Sequence, residues 1–296
     1  MTASPTSAAH PAQNPALGIG LMLFAILLFT GMDATAKSLV AHYPAPQVVW
    51  IRFLGQFLLA ALILRGRTPA LLRTAHPGLH VLRALTQVGA IGFFFFAITH
   101  IGLAEATAIA DTSPVLITLG AALFLGEKLG PRRIAGIIVA LIGAMIVIRP
   151  GAGTFSVWAI LPFLGAICYT ANALLTRALG LREPVWTAML WGGGIGALFT
   201  GLALPFVWTP IDPAHLWQFG LIGVLGTAAQ LCLIRSFSLA EASLVAPFTY
   251  VGIIFATGWG ILLYDEWPDR WTILGALVIV GAGLYVWHRE TRSARN

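Results

Sequence analysis

The chain has 296 residues, of which 58% are hydrophobic and 9% are charged. A soluble domain has about 25% charged residues, so the composition excludes a water-soluble enzyme and a disordered chain. The 17 basic residues outnumber the 11 acidic ones. They are scattered, however, and most lie at the ends of apolar runs, which argues against a nucleic-acid-binding surface. Two cysteines inside apolar runs indicate neither a disulfide framework nor a metal site.

Long apolar runs, separated by turn-forming and charged residues, predict membrane helices. A helix needs about 20 apolar residues to cross roughly 30 Å of hydrocarbon, so the chain accommodates about ten spans. The apolar runs are continuous and do not alternate, which disfavours a β-barrel. The predicted spans cover 17–42, 46–64, 78–99, 104–125, 132–149, 156–178, 185–206, 215–236, 242–263 and 271–288.

The two ends of the chain predict the orientation in the membrane. Residues 1–16 are rich in Ala, Ser and Pro and contain no Lys or Arg, which favours a flexible cytoplasmic tail over a signal peptide. Most Lys and Arg residues lie in the even-numbered connections and in the basic segment 289–296. Because positive charge concentrates on the cytoplasmic side, both termini are predicted to be cytoplasmic.

An internal repeat divides the chain into two halves. The tetrad Leu-Ala-Glu-Ala at 103–106 recurs at 239–242, and Gly126-Glu127 has a counterpart in Asp265-Glu266. The repeat predicts two five-helix units, residues 17–150 and 151–288. Since five is odd, the second unit enters the membrane from the opposite side. We therefore expect an all-α membrane protein with ten helices in an inverted five-plus-five repeat, an arrangement typical of secondary transporters.

These tetrads, together with Pro114, Pro247 and the Gly/Asp-Glu pairs, resemble the drug/metabolite transporter superfamily of the EamA type. Within it, the chain is most similar to the bacterial aromatic amino-acid exporters. The resemblance extends over nearly the whole chain. It implies a multi-pass protein of the bacterial inner membrane that exports amino acids or other small metabolites.

Among the charged residues inside predicted spans, four are candidates for the substrate site or for proton coupling, since a charge at the bilayer centre costs about 2.5–3.5 kcal/mol and needs a reason. Asp33 and Lys37 lie one helical turn apart and are predicted to form an ion pair. That pair either neutralises itself near the outer interface or lines the substrate path. Arg52 either extends to the membrane surface or binds a carboxylate. Asp111 or Asp33 could couple transport to protons, and facilitated diffusion is the alternative.

Two prolines predict breaks in corresponding spans of the two halves. Pro114 lies in span 4 and Pro247 in span 9, and each removes a backbone hydrogen bond. Such a break is either a plain kink or a hinge beside the substrate. Interrupted helices at matching positions of two repeats are typical of transporter binding sites.

Polar and aromatic side chains within the spans complete the predicted substrate site. Amides either join neighbouring helices or face a cavity. Aromatic rings either contact lipid or line a pocket for an apolar side chain. The substrate-binding candidates of these two kinds are Trp50, Gln56, Gln87, Phe94, Tyr169, Asn172, Trp191, Gln230 and Tyr250.

Together these features predict a secondary transporter that exports small amphipathic metabolites. Aromatic and other apolar amino acids are the expected substrates, carried by alternating access around a central cavity, with no cofactor or metal. The alternatives are a carrier or channel for other metabolites or drugs, and a lipid-modifying membrane enzyme. The acidic cluster at 265–269 is predicted to be a solvated loop, which disfavours the enzyme. Spans 5 and 10 are assigned to scaffold or to a homodimer contact.

Overall fold

The structure is a computed structural model that describes residues 15–125, 131–148, 156–179, 183–239 and 246–293. All regular secondary structure in these ranges is helical. Short 3-10 turns lie at 65–67, 157–159, 213–215 and 246–250. The α-helices are α1 Pro15–Val40, α2 Ala45–Leu64, α3 Thr68–Leu71, α4 Pro77–Ala97, α5 Leu103–Ala110, α6 Ser113–Leu125, α7 Pro131–Ile148, α8 Ile160–Leu179, α9 Val185–Gly201, α10 Leu204–Val207, α11 Leu216–Leu239, α12 Val251–Tyr264 and α13 Arg270–Ser293.

Several of these helices have the length and composition of membrane spans. Five described segments are long and apolar enough to cross a bilayer, namely 16–40, 45–71, 77–97, 157–176 and 213–233. Shorter apolar helices cover 134–147, 248–264 and 270–282. The all-helical architecture is therefore confirmed. The count of ten spans and the side on which the termini lie stay predictions, and residues 1–14 and 294–296 lie outside the described ranges.

Span 4 is not one helix but two. Helix α5 ends at Ala110 and α6 begins at Ser113, so Asp111 and Thr112 form a turn inside the span. Pro114 follows in the first turn of α6, where its missing N–H breaks no helical hydrogen bond. In the second half, the 3-10 turn 246–250 contains Pro247 and leads directly into α12. Both prolines thus lie where the helical path is irregular.

Four pairs of helices pack most extensively: α1 with α11, α4 with α8, α2 with α9, and α7 with α13. By sequence, α1 corresponds to α8 and α4 to α11, so the first two contacts are equivalent under exchange of the two halves. By the same comparison α2 corresponds to α9 and α7 to α13. Each of these two contacts therefore joins a helix to its own counterpart in the other half. Helices α5 and α6 pack on α8, and α12 packs on α1 and α5.

Glycines allow the close approach of the paired helices. A Cβ at Gly275 of α13 would lie 2.7 Å from the carbonyl oxygen of Gly143 in α7. A Cβ at Gly196 of α9 would lie 2.5 Å from Cδ1 of Phe53 in α2. Spans 5 and 10 therefore pack on each other within one chain. Helix α13 also continues to Ser293, so the predicted basic tail begins as helix.

Candidate functional site

Asp33 points into the protein from α1. The exposed side of this helix carries Leu17 and Phe24, which are 50% and 51% exposed. Asp33 follows Phe24 by nine residues, which places it about 180° round the helix, away from that surface. There its carboxylate lies close enough to the guanidinium of Arg52 to interact electrostatically. The guanidinium of Arg52 therefore partly offsets the charge of Asp33 from a distance longer than that of a direct ion pair.

Arg52 stays inside the protein and does not extend to the membrane surface. The residue is 9% exposed, and its guanidinium lies 5.5 Å from the ring centre of buried Phe95. Its Nε is buried and has no hydrogen-bond partner among the described residues. One turn further along α2, the Gln56 side chain donates a hydrogen bond to the carbonyl oxygen of Met189 in α9 (3.2 Å).

The predicted ion pair between Asp33 and Lys37 is wrong. Lys37 Nζ lies 2.6 Å from Oε1 of Glu266 and donates to the carbonyl oxygen of Ile101 at 3.1 Å. The other carboxylate oxygen, Oε2, accepts a hydrogen bond from Leu103 N at 3.1 Å. Lys37 is one turn nearer the helix end than Asp33, so its long side chain reaches the connecting loops instead.

The contacts around Glu266 tie three separate parts of the chain together. We call Lys37, Ile101, Leu103, Tyr264 and Glu266 the Glu266 network. The Tyr264 hydroxyl donates to the carbonyl oxygen of Ala34, and its ring centre lies 5.5 Å from Lys37 Nζ. The network joins α1 to the α4–α5 and α12–α13 connections. The acidic loop 265–269 is therefore not merely solvated, as the sequence predicted, because the carboxylate of Glu266 binds Lys37 and Leu103.

A second polar group surrounds the break in span 4. Asp111 lies in the turn between α5 and α6, and its Oδ2 is buried without a hydrogen-bond partner among the described residues. The hydroxyls of Tyr169 in α8 and Tyr250 in the 3-10 turn lie within electrostatic reach of that carboxylate. We call these three residues the Asp111 cluster. They come from both halves of the chain.

Tyr169 shows that accessible space faces the interior beside this cluster. The outer side of α8 carries Ile160, Leu164 and Ile167, which are 37–46% exposed. Tyr169 lies about 180° from the centre of that stripe. It is nevertheless 46% exposed, so accessible space also lies on this side of α8. An inward-facing aromatic surface next to a carboxylate suits a small ligand with apolar and cationic parts.

The remaining amides divide between packing and the interior. Asn172 donates to the carbonyl oxygen of Arg83 at 2.7 Å and so joins α8 to α4. Oε1 of Gln87 is buried without a partner among the described residues, close to Gly192 of α9. Gln230 is half-buried on α11. Asn172 therefore holds helices together as Gln56 does, whereas Gln87 has spare hydrogen-bonding capacity.

Three of the predicted aromatic residues make packing or hydrogen-bond contacts. Trp50 meets Trp208 edge to face, with ring centres 6.2 Å apart. Trp191 donates its indole N–H to the carbonyl oxygen of Leu72 and lies against His80. Phe94 packs against the main hydrophobic core. Trp50 and Trp191 thus each contact a residue that lies near the end of a helix or in a connection.

Sequence reasoning did not predict a group of polar contacts around Glu183, at the opposite end of the helices from Glu266. Oε1 of Glu183, just before α9, accepts hydrogen bonds from the Thr74 hydroxyl (2.6 Å) and from Ala75 N (3.3 Å). Nδ1 of His76 lies 3.6 Å away from the same oxygen. His80 Nε2 lies 3.9 Å from Oε2 and the His80 side chain is fully buried. The partners are about a hundred residues apart, so no local pattern signals the contact.

Glu183 gives a pH-dependent contribution to stability. The hydrogen bond from Thr74 is the main cause that holds the pKa of the Glu183 carboxyl below its usual value of 4.5. A lowered folded-state pKa stabilises the fold above the unfolded-state pKa, and this contribution is lost as the pH falls through the folded-state pKa. We expect the stability difference between wild type and Glu183→Gln to shrink between about pH 6 and about pH 3. Thermal unfolding in detergent measures it.

The exposed Asp265→Asn variant is the control for that titration. Asp265 lies at the other end of the molecule, so its substitution leaves the Glu183 contacts intact. A difference between wild type and Glu183→Gln that stays constant over the acid range would contradict the role given to Glu183.

Comparison with known proteins identifies the family. The profile of the EamA-like transporter family matches twice, at residues 16–149 and 156–287. The chain belongs to the EamA-like transporter family. The family consists of multi-pass membrane transporters, which agrees with the exclusion of an enzyme.

Individual relatives of the family transport different metabolites. The chain is 34% identical over 271 residues to the pseudopaline exporter CntI of Pseudomonas aeruginosa, covering 90% of this chain and 94% of the exporter. It is 29% identical over 300 residues to a riboflavin transporter of Rhizobium johnstonii (98% and 97% covered). It is 24% identical over 282 residues to an S-adenosylmethionine uptake transporter of Rickettsia bellii (94% and 95% covered). One of these three relatives is named for export and one for uptake. None of the three is named as an aromatic amino-acid exporter.

One solved structure supports the fold. It is described only as "Crystal structure of protein" and is 20% identical, with a TM-score of 0.67 and coverage of 94% of this chain and 98% of that chain. At this identity the likeness extends to the fold and not to the substrate. Within the described residues, no group of three or more His, Cys, Asp or Glu side chains could hold a metal ion.

Proposed function

We propose that this EamA-type transporter is a bacterial inner-membrane carrier that exports small amphipathic metabolites by alternating access. Aromatic and other apolar amino acids are the substrates we favour. The observation that carries the proposal is the pair of interior polar groups, Asp33 with Arg52 and the Asp111 cluster, inside otherwise apolar helices. Charges at this depth are costly unless they serve a ligand or one another.

The chemistry of the interior suits an amino acid. Arg52 is a buried guanidinium that offers two-point binding to a carboxylate, and its Nε has no partner in the described part of the chain. The Asp111 cluster offers a carboxylate to an ammonium group. The inward face of Tyr169 offers an aromatic surface to an apolar side chain. Glycine contacts along α9 keep the surrounding helices close enough to exclude water.

The proposed topology has ten spans and two cytoplasmic termini, with the repeats at 17–150 and 151–288. Its support is the distribution of basic residues, the two matches to the family profile and the exchange of helix contacts between the halves. In this topology the Glu266 network lies on the outer side. Closure at that end by an ion pair and opening by its rupture form one half of an alternating-access cycle.

Weakening the Glu266 network is expected to open the outer end. Glu266→Gln removes the charge that pairs with Lys37 and leaves an acceptor for Leu103 N. A loss of about 1 kcal/mol would raise the open fraction about fivefold. The measurement is the reactivity of a cysteine placed at Tyr169 toward a membrane-impermeant thiol reagent added outside.

Two further variants make this test specific. The charge exchange Lys37→Glu with Glu266→Lys restores an ion pair and should return the thiol reactivity toward wild type. Asp265→Asn changes the exposed neighbour of Glu266 and should leave it unchanged. Equal reactivity in wild type and Glu266→Gln would contradict a closing role for the network.

Uptake into proteoliposomes tests the proposed function itself. Purified protein is reconstituted, and labelled phenylalanine, tryptophan and methionine are compared with lysine as a charged control, both with unlabelled substrate trapped inside and without it. We expect saturable uptake of the apolar amino acids that is stimulated by trapped substrate. Uptake of none of them, in liposomes that hold folded protein, would overturn the amino-acid assignment.

A further inference from the structure

Asp111 differs from Asp33 in having no cationic partner. Neither carboxylate has a Lys, Arg or His nitrogen of the described residues within 4 Å, but Arg52 lies within electrostatic reach of Asp33, whereas no cation of the described residues does so for Asp111. The titratable groups that face Asp111 are the phenols of Tyr169 from α8 and Tyr250 from the 3-10 turn. Neither phenol supplies a positive charge.

A carboxylate in this position needs neutralisation. Its Oδ2 is buried without a hydrogen-bond partner among the described residues. Burial of an unpaired charge costs several kcal/mol, and the cost is removed when the group takes up a proton or binds a cation. The site lies at the break between α5 and α6, and the Tyr169 side chain beside it is 46% exposed. A ligand can therefore reach it.

The ligand that fits this surrounding is a protonated amine on an apolar body. An ammonium group pairs with the carboxylate and is attracted to the face of an aromatic ring. We propose that Asp111 binds a proton and the ammonium group of the substrate in alternation, so that the carrier exchanges small amphipathic amines for protons. This inference rests on the proposed function and adds the coupling step and the substrate class.

The exchange balances without any covalent change to the substrate. On the inner side, the ammonium group of the substrate displaces one proton from the Asp111 carboxyl, and the proton leaves to that side. On the outer side, one proton displaces the ammonium group, which departs with the substrate. Each cycle moves one proton inward per amine exported. An inward proton gradient therefore drives export.

Carbodiimide labelling tests amine binding without any transport. Dicyclohexylcarbodiimide reacts with protonated carboxyl groups in apolar surroundings, and mass spectrometry of the peptides locates the adduct. We expect an adduct on Asp111 of the wild-type protein in detergent and none at this position in Asp111→Asn. N,N-Dimethylphenethylamine, a tertiary amine that cannot form an amide with the activated carboxyl, should reduce the labelling at least several-fold, whereas 3-phenyl-1-propanol, which has the same ring and neither amine nor acid, should leave it unchanged.

The outcomes of the labelling test separate the possibilities. No adduct on Asp111, or equal labelling with and without the tertiary amine, would overturn the inference. Equal or stronger protection by 3-phenyl-1-propanol would also overturn it, because the site would then not require an amine. Since the decisive comparison uses the wild-type protein, it does not depend on the folding of the Asp111→Asn variant.

A transport measurement tests the coupling. Labelled phenylalanine inside wild-type proteoliposomes should move outward against its gradient when the outside is made more acidic, and Asp111→Asn should not support this movement. Saturable phenylalanine transport that ignores the pH gradient would overturn the inference and leave the proposed function standing. Transport of no amino acid with or without the gradient would overturn the proposed function as well.

Discussion

Arg52→Met is expected to destabilise the protein by about 1–3 kcal/mol, because it leaves the Asp33 carboxylate in the interior without its nearby cation. Methionine keeps much of the side-chain length and can pack on Phe95. The loss of stability therefore measures the effect of removing the positive charge. The double variant Asp33→Asn with Arg52→Met removes both charges. Its stability should recover most of the loss, since an apolar replacement of a buried pair is often neutral.

Thermal unfolding in detergent, followed by size-exclusion of the heated samples, measures these variants. Arg67→Met is the matched control because Arg67 is exposed in the 3-10 turn after α2. It should unfold at the wild-type temperature. A single Arg52→Met variant as stable as the wild type, or a double variant less stable than the single one, would contradict the pairing of Asp33 with Arg52.

Gly275→Ala is expected to destabilise the contact between α7 and α13. A Cβ at this position would lie 2.4 Å from Cγ2 of Val147 and 2.7 Å from the carbonyl oxygen of Gly143. The helices must separate to admit it, and overpacking of this kind costs about 1–3 kcal/mol. That loss exceeds the gain of about 1 kcal/mol that alanine offers over glycine within a helix.

Gly281→Ala on the same helix is the control for this substitution. A Cβ at Gly281 meets no atom within 4 Å. It should therefore leave the unfolding temperature unchanged or raise it slightly through helix propensity. If both variants shift the unfolding temperature equally, the close approach of α7 and α13 does not stabilise the fold.

The path of the helices could be predicted from the sequence because it depends on local signals. Apolar runs bounded by proline, glycine and charge gave spans whose ends lie close to those of the described helices. Pro114 marked the interruption of span 4, since proline cannot continue the backbone hydrogen-bond ladder. The interior position of Asp33, Arg52 and Asp111 also follows from the cost of placing a charge against lipid.

The partners of these side chains could not be predicted in the same way. Lys37 is four residues from Asp33 and more than two hundred from Glu266, so helical periodicity favoured the wrong acid. Only the packing of α12 beside α1 brings Glu266 within reach. The hydrogen bond between Thr74 and Glu183 likewise depends on the packing of helices that are far apart in the chain. Sequence patterns identify which residues need partners, whereas the fold selects the partners.

The central claim is that one interior surface is reached alternately from the two sides of the membrane. Cys168 and Cys232 are first replaced by alanine. One variant then has cysteine in place of Tyr169, and the other has cysteine in place of Ile167, which lies on the opposite side of α8. An impermeant thiol reagent is applied to right-side-out and inside-out vesicles. We predict that the cysteine at position 169 reacts from both sides and is protected by phenylalanine, while that at 167 reacts from neither. The account would be contradicted if the cysteine at position 169 reacted to the same extent as the one at 167. It would also be contradicted if phenylalanine did not change the reactivity of the cysteine at 169.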